Sequence, residues 1–408
     1  MVLAAMNAPR LMLAVTLLLA PALRGADTAA FIEQGNDAFY NLDYDTARAM
    51  YEKAVAAEPE NPKFHNYLAQ SLLTKEMFRN GALESELVSG NNSFIRRPKL
   101  EPPADVELRF FAEIDRAMAL SQARIAKNPR DTFALHHLSV SYALRANYGF
   151  LVRKSWRASL YDSSLARKYD AQVTELDPNN YDARLLQGGY DYIVGNLSWA
   201  MRALGFIAGY HGDKMRGLHT IEEVAQKGNE NRIDAEIVLC ALYRREGQAT
   251  RAVPLVSNLI QRFPRNYILR FEIAQMFASL GRRSEALAAV AEIARMKRAG
   301  AAGFDRLPWE KIYYETGNLQ FWFDDYDHAL ENLKKVTASP EQLRELDLNT
   351  GALAFMRQGQ IYDLQNRHNL AIPAYQQAVR FAPDADAARE SQHYIATPYS
   401  RPHPPAHS

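Results

Sequence analysis

His211, Asp213 and His219 are the side chains whose types could hold a metal, because imidazole and carboxylate are zinc ligands. Their spacing departs from HExxH, where two histidines share one helix face around a glutamate, so a structural role is expected. His136 and His137 are adjacent, and successive residues of a helix point in different directions. They cannot share an ion. Glu222 and Glu223 are expected to begin a helix, where negative charge suits the dipole. Cys240 has no histidine near it in sequence and reads as a small, buried, inert thiol. No G-x-S-x-G elbow, phosphate loop or dinucleotide glycine pattern is present. The expectation is therefore no catalytic residue, no cofactor and no metal.

Composition narrows the classes further. The chain has 408 residues, 48% of them hydrophobic, with 48 basic against 47 acidic residues. That apolar fraction excludes wholesale disorder, and the balanced charge leaves no field to recruit nucleic acid. One cysteine excludes a disulfide framework and a thiolate cluster. The length exceeds what one compact core supports.

The elements that would position any site repeat along the chain. Leu239 pairs with Ile273, Cys240 with Ala274, Tyr243 with Phe277, Gly247 with Gly281 and Ala252 with Ala286, each 34 residues apart. Leu239 and Tyr243 lie four apart on one face of a first helix. Gly247 is placed to end that helix in the left-handed region. Ala252 lies where a second helix must cross closely. Neither helix buries its apolar stripe alone, so stacked hairpins are expected.

The same order recurs at Gly35, Ala47, Tyr51 and Ala54, at Gly317 and Ala329, and at Gly359, Ala371, Tyr375 and Ala378. The triplet Asp43-Tyr44-Asp45 returns as Asp325-Tyr326-Asp327. No strand pattern is found, so the fold class expected is all-α. The expected organisation is N-terminal repeats over 27–90, a loop over 91–108, and degenerate repeats over 109–180. A glycine-containing helical insert follows over 181–230, then two regular repeats over 231–298. A linker over 299–309, repeats with a capping helix over 310–397, and a disordered tail over 398–408 complete the chain.

Residues 1–26 read as a secretory signal peptide. Arg10 precedes the apolar run Leu11 to Leu23, small residues follow at Ala20, Ala22, Gly25 and Ala26, and cleavage is expected after Ala22, Gly25 or Ala26. A run of that length is too short to span a bilayer. Export to a bacterial periplasm or envelope is expected.

The repeat signature resembles the tetratricopeptide repeat. The resemblance implies a right-handed superhelix whose concave face, lined by the first helix of each hairpin, binds an extended protein or peptide partner without catalysis. Carried onto matching positions, the groove would comprise Asn36, Phe39 and Tyr40 in the first unit and Arg244 and Arg245 in the Gly247 unit. Gln275 follows in the next. Tyr314, Asn318, Phe321 and Trp322 belong to the Gly317 unit, and Gln360 to the last. The lysine with which some members clamp a terminal carboxylate is absent, with Ile32 and Tyr314 in its place. Apolar anchors beside amide hydrogen bonds are implied instead.

The segment Gly188 to Gly228 resembles the middle of exported bacterial tetratricopeptide proteins and is similar to a eukaryotic tetratricopeptide family linked to clearance of lipid-rich inclusions. Gly205, Ala208 and Gly209 give close-packing faces there, and Asp213 is placed to cap a helix. Two alternatives to the scaffold stay open. One is an enzyme or metal-dependent site within 188–228. The other is a membrane- or lipid-contacting hairpin over 197–210, bracketed by Trp199 and Tyr210.

Overall fold

Short polar side chains start the helices. Asp43, Asn61, Asp131, Asp213 and Asn266 each accept a hydrogen bond from a backbone N–H one turn into the helix that follows. In the computed structural model, which describes residues 27–81, 83, 101–196, 211–338 and 348–401, these caps delimit an all-α chain. Among the described residues there are seventeen α-helices and no strand.

The helices are α1 (27–40), α2 (Tyr44–Ala57), α3 (Pro62–Arg79), α4 (Ala104–Lys127), α5 (Thr132–Tyr148) and α6 (Trp156–Leu176). Then come α7 (Leu185–Gly195), α8 (Lys214–Lys227), α9 (Arg232–Arg245), α10 (Ala249–Arg262), α11 (Tyr267–Ser279) and α12 (Arg283–Arg298). The last are α13 (Trp309–Trp322), α14 (Tyr326–Thr337), α15 (Leu348–Leu364), α16 (His368–Phe381) and α17 (Asp386–Ala396). Each odd-numbered helix up to α15 packs on the even-numbered one after it, and successive hairpins stack into a helical-repeat solenoid closed by α17.

The repeated small residues set the spacing inside each hairpin. Ala47, Ala252, Ala286, Ala329 and Ala371 are all fully buried where second helices cross. A Cβ on Gly35 would sit 2.5 Å from the ring of Tyr51, and one on Gly359 would sit 2.4 Å from Tyr375. The first-helix glycine and the second-helix tyrosine are thus one interlocking pair, used twice. The tight turn between the two helices is left-handed at Leu42, Gly247, Gly281, Asp324 and Asn366, and Lys154 is left-handed between α5 and α6. Only two of these are glycine, so the backbone shape outlasts its usual residue.

Some boundaries differ from the sequence reading. The loop expected to run to residue 108 ends sooner, because Pro103 sits at the cap of α4 and Asp105 and Glu107 occupy its first turn. The linker over 299–309 is packed, with Phe304 and Leu307 buried beside Tyr267 and Ile293. Glu222 and Glu223 lie late in α8 rather than at its start, since Asp213 begins that helix. They serve as ion-pair partners, Glu222 of Arg251 and Glu223 of Lys227 and Arg184.

The tail expected to be disordered is ordered through residue 401, because Tyr399 and Arg401 find partners on α13 and α15. The signal segment 1–26, residues 91–100, the hairpin 197–210 with Trp199, Gly205, Ala208, Gly209 and Tyr210, and residues 402–408 lie outside the described residues.

Helices α7 and α8 form a hairpin in line with the others. A Cβ on Gly217 would meet the backbone N of Tyr192 at 2.3 Å, so the two backbones touch without an intervening side chain. Arg216 then reaches the buried carboxylate of Asp191 with two 3.0 Å bonds. From the other end, Asp182 accepts from the backbone N–H groups of Asn229, Glu230 and Asn231, which fixes the start of α9.

Candidate functional site

The first helices of neighbouring hairpins are joined to one another by polar side chains. Arg244 donates to Glu272 at 3.4 Å and to Gln275 at 3.3 Å, and Gln275 donates to Glu315 at 2.6 Å. Two hairpins further on, Arg357 donates to Asn318 at 3.0 Å and to Gln360 at 2.7 Å. Glu272, Gln275, Glu315, Asn318 and Gln360 are buried. Charged and amide groups removed from water need such partners, so much of this ladder's polarity is committed to holding helices together.

At the N-terminal end the inner wall is closed by the chain itself. The phenol of Tyr40 donates to Asp234 at 2.9 Å, and its ring lies 5.0 Å from that of Phe263. Asn266 donates to the Tyr40 carbonyl at 2.7 Å, while the Arg265 backbone N–H donates to Asn41 at 2.9 Å. Arg265 also pairs with Asp37 at 2.6 Å, and Lys63 of α3 with Glu230 at 2.6 Å. The rings of Phe78 and Tyr267 lie 6.2 Å apart, tilted by 50°. These contacts bring the first hairpin and α3 onto α9 and the start of α11. Burial pushes the Asp234 carboxyl up to about 6, although it accepts hydrogen bonds from Tyr40 and Gln70.

At the C-terminal end the wall meets a short extended segment. After α17, Pro398 and Ser400 are exposed while Tyr399 and Arg401 are half-buried. The Tyr399 backbone N–H donates to Asp363 at 2.8 Å. Its ring lies 6.4 Å from Phe321 and 5.2 Å from Tyr394. Arg401 donates to the Phe321 carbonyl at 2.5 Å and pairs with Asp324 at 2.7 Å. Its guanidinium also lies within 5.9 Å of the rings of Trp322 and Tyr326.

The groove positions therefore divide. Tyr40, Gln275, Tyr314, Asn318, Phe321 and Gln360 are buried within the chain. Asn36 and Phe39 are half-buried, Asn36 accepting from the Tyr51 phenol at 2.8 Å. Arg244 is held in the ladder, and Arg245 is exposed. Trp322 is 45% exposed, with Phe321 buried behind it and Arg357 5.0 Å from its ring. Asp324, Asp363, Tyr399 and Arg401 belong to the same constellation. They fall outside the repeat positions that mark a groove, and the only sequence signal for them is an aromatic and an arginine in an otherwise small and polar tail.

Among the described residues, the titratable clusters singled out in the sequence do not come together. Asp213 caps α8 through the Arg216 N–H, and His219 lies 3.8 Å from Glu222. Among the described residues no three His, Cys, Asp or Glu side chains come together as a metal site. The hydrogen bond and charge of Asp170, 3.0 Å away, hold His136 above its ordinary range against the effect of burial. Burial drives His137 well below that range and pushes the Cys240 thiol up, away from a reactive thiolate. No described helix is long and apolar enough to cross a membrane.

Tetratricopeptide repeat family models match residues 32–80 and 242–302, and residues 352–385. The chain contains tetratricopeptide repeats.

Among solved structures it is similar to yeast Tom70, at 13% identity over 91% of this chain and 88% of that one, TM-score 0.41. A tetratricopeptide repeat protein of Parabacteroides merdae is 14% identical over 79% of this chain and 98% of its own, TM-score 0.31. The Cut9–Hcn1 hetero-tetramer of the APC/C is 12% identical over 88% and 74%, TM-score 0.38. Overlays this loose carry no argument. No curated protein matches the chain. Tetratricopeptide proteins commonly bind protein partners, and the repeats here suggest a protein–protein interaction scaffold.

Proposed function

We propose that the chain is a non-catalytic scaffold that binds a protein partner on the inner face of its C-terminal repeats. The observation that carries this reading is Trp322. A tryptophan at an expected groove position, edge-on to Phe321 at 5.3 Å and flanked by the guanidinium groups of Arg357 and Arg401, still leaves 45% of its surface open. Exposed aromatic and arginine side chains backed by a rigid wall are the residues that dominate binding energy at interfaces. Export to a bacterial periplasm or envelope is part of the proposal, supported by Arg10, the apolar run to Leu23 and the small residues after it.

A photo-cross-linking residue at position 322 in the chain expressed in a bacterial host tests it, with Glu292 on α12, the second helix of its hairpin and with its side chain 42% exposed, as the control. The expected result is a discrete protein adduct from position 322 that is absent from position 292. Equal adducts at both positions, or no adduct at 322 in any compartment, would remove the basis for the scaffold.

A further inference from the structure

The segment after α17 is seated the way a ligand is seated. It alternates, with Tyr399 and Arg401 turned in and Pro398 and Ser400 turned out, which is the habit of an extended peptide on a surface. It is held by one backbone N–H to a buried carboxylate and by one cation to a carboxylate and a carbonyl.

The receiving residues are built without it. Asp363 is already fixed by Tyr375 at 2.7 Å and by His368 at 2.6 Å. Phe321 is packed in the core of α13 and α15, and Asp324 sits in the left-handed turn that recurs in the repeats. The site therefore belongs to the repeats and not to the tail. Its exposed edge is Trp322.

We propose that this is the partner site of the scaffold and that residues 397–401 fill it as an internal competitor. The partner is a protein segment in extended form with an aromatic side chain followed two residues later by arginine. Lysine fits less well, because Asp324 and the Phe321 carbonyl are engaged together and the cation also lies against three aromatic rings. The proposal rests on the scaffold reading only for the existence of a partner. The site itself is testable without one.

A labelled synthetic peptide of residues 397–408 is titrated against the unmodified full chain and against the full chain carrying Tyr399→Ala with Arg401→Ala. A tethered segment competes at a high effective concentration, so the double variant should bind the peptide at least about tenfold more tightly than the unmodified chain. The Arg401→Glu peptide should lose binding to the double variant. Asp324→Asn, added to that variant, should weaken the normal peptide. Equal affinity of the two chains, or no binding by a folded double variant, would overturn the proposal. So would a dimer of the unmodified chain that exchanges tails. Circular dichroism establishes that the double variant is folded, and if it is not, Arg401→Gln alone makes the same comparison. Peptide binding that persists when cross-linking at 322 finds no partner would defeat the scaffold reading and leave the site standing.

Discussion

The first unit and the Gly317 unit carry the same residue types and end in opposite circumstances. Both place asparagine after the glycine, at Asn36 and Asn318, and both run through a left-handed turn into Asp-Tyr-Asp. In the first unit the last inner aromatic, Tyr40, is buried against Phe263 and bonded to Asp234. In the other, the matching aromatic is Trp322, open to solvent. The repeat fixes where an inner side chain points. What it meets there is decided by the part of the chain that the superhelix brings opposite.

The N-terminal meeting is a core contact and the C-terminal one a surface contact, which predicts unequal costs for equivalent truncations. Tyr40→Ala should cost about 3–5 kcal/mol in urea unfolding, the range for deleting a buried aromatic. It also removes the phenol's hydrogen bond to the Asp234 carboxylate, leaving that of Gln70. Trp322→Ala should cost less than about 1 kcal/mol. Equal losses would mean that the two faces are not different in kind.

Asp234 gives the N-terminal contact a pH signature. Its folded value of about 6 lies above the ordinary carboxyl value, so the native state holds the proton more tightly. Its contribution makes stability fall as pH rises between about 4 and 6, with a plateau above. The effect should be about 1–2 kcal/mol, since the side chain keeps part of its solvent contact. Asp234→Asn should remove that slope while keeping an acceptor for Tyr40. A slope unchanged in the variant would place the titration elsewhere.

The turns sharpen the comparison at smaller scale. Gly247 has open space around its α-carbon and φ of +68°, so Gly247→Ala should cost about 1 kcal/mol from backbone conformation alone. Asn366→Gly, at the same place in the last hairpin and also left-handed, should change stability by less than about 0.5 kcal/mol. Asparagine already tolerates that region.

Much of the architecture is legible in the chain because the repeat writes local packing into local spacing. The buried alanines, the glycine turns at Gly247 and Gly281, the Asp213 cap and the closing helix Asp386–Ala396 all follow from residues close in sequence. The burial of the expected groove positions could not be read from the repeat. Tyr40 meets Asp234 across 194 residues, and no periodicity encodes such a pairing. Phe304 and Leu307 were hidden inside a stretch rich in glycine and alanine. The tail was hidden by its prolines, since composition records its polarity and misses two side chains with prepared seats. Leu42 and Asp324 show the converse, a conserved backbone shape carried by residues that do not announce it.

Hydrogen exchange at two backbone amides compares the closures most directly. The Arg265 amide donates to Asn41 at 2.9 Å and the Tyr399 amide to Asp363 at 2.8 Å, so bond length alone predicts equal protection. A wall closed by core packing at one end and by a displaceable segment at the other predicts that Arg265 exchanges only with global unfolding, whereas Tyr399 exchanges through local opening and faster still when excess 397–408 peptide competes for its seat. Equal protection of both amides, or a Tyr399 amide as protected as the core, would contradict it.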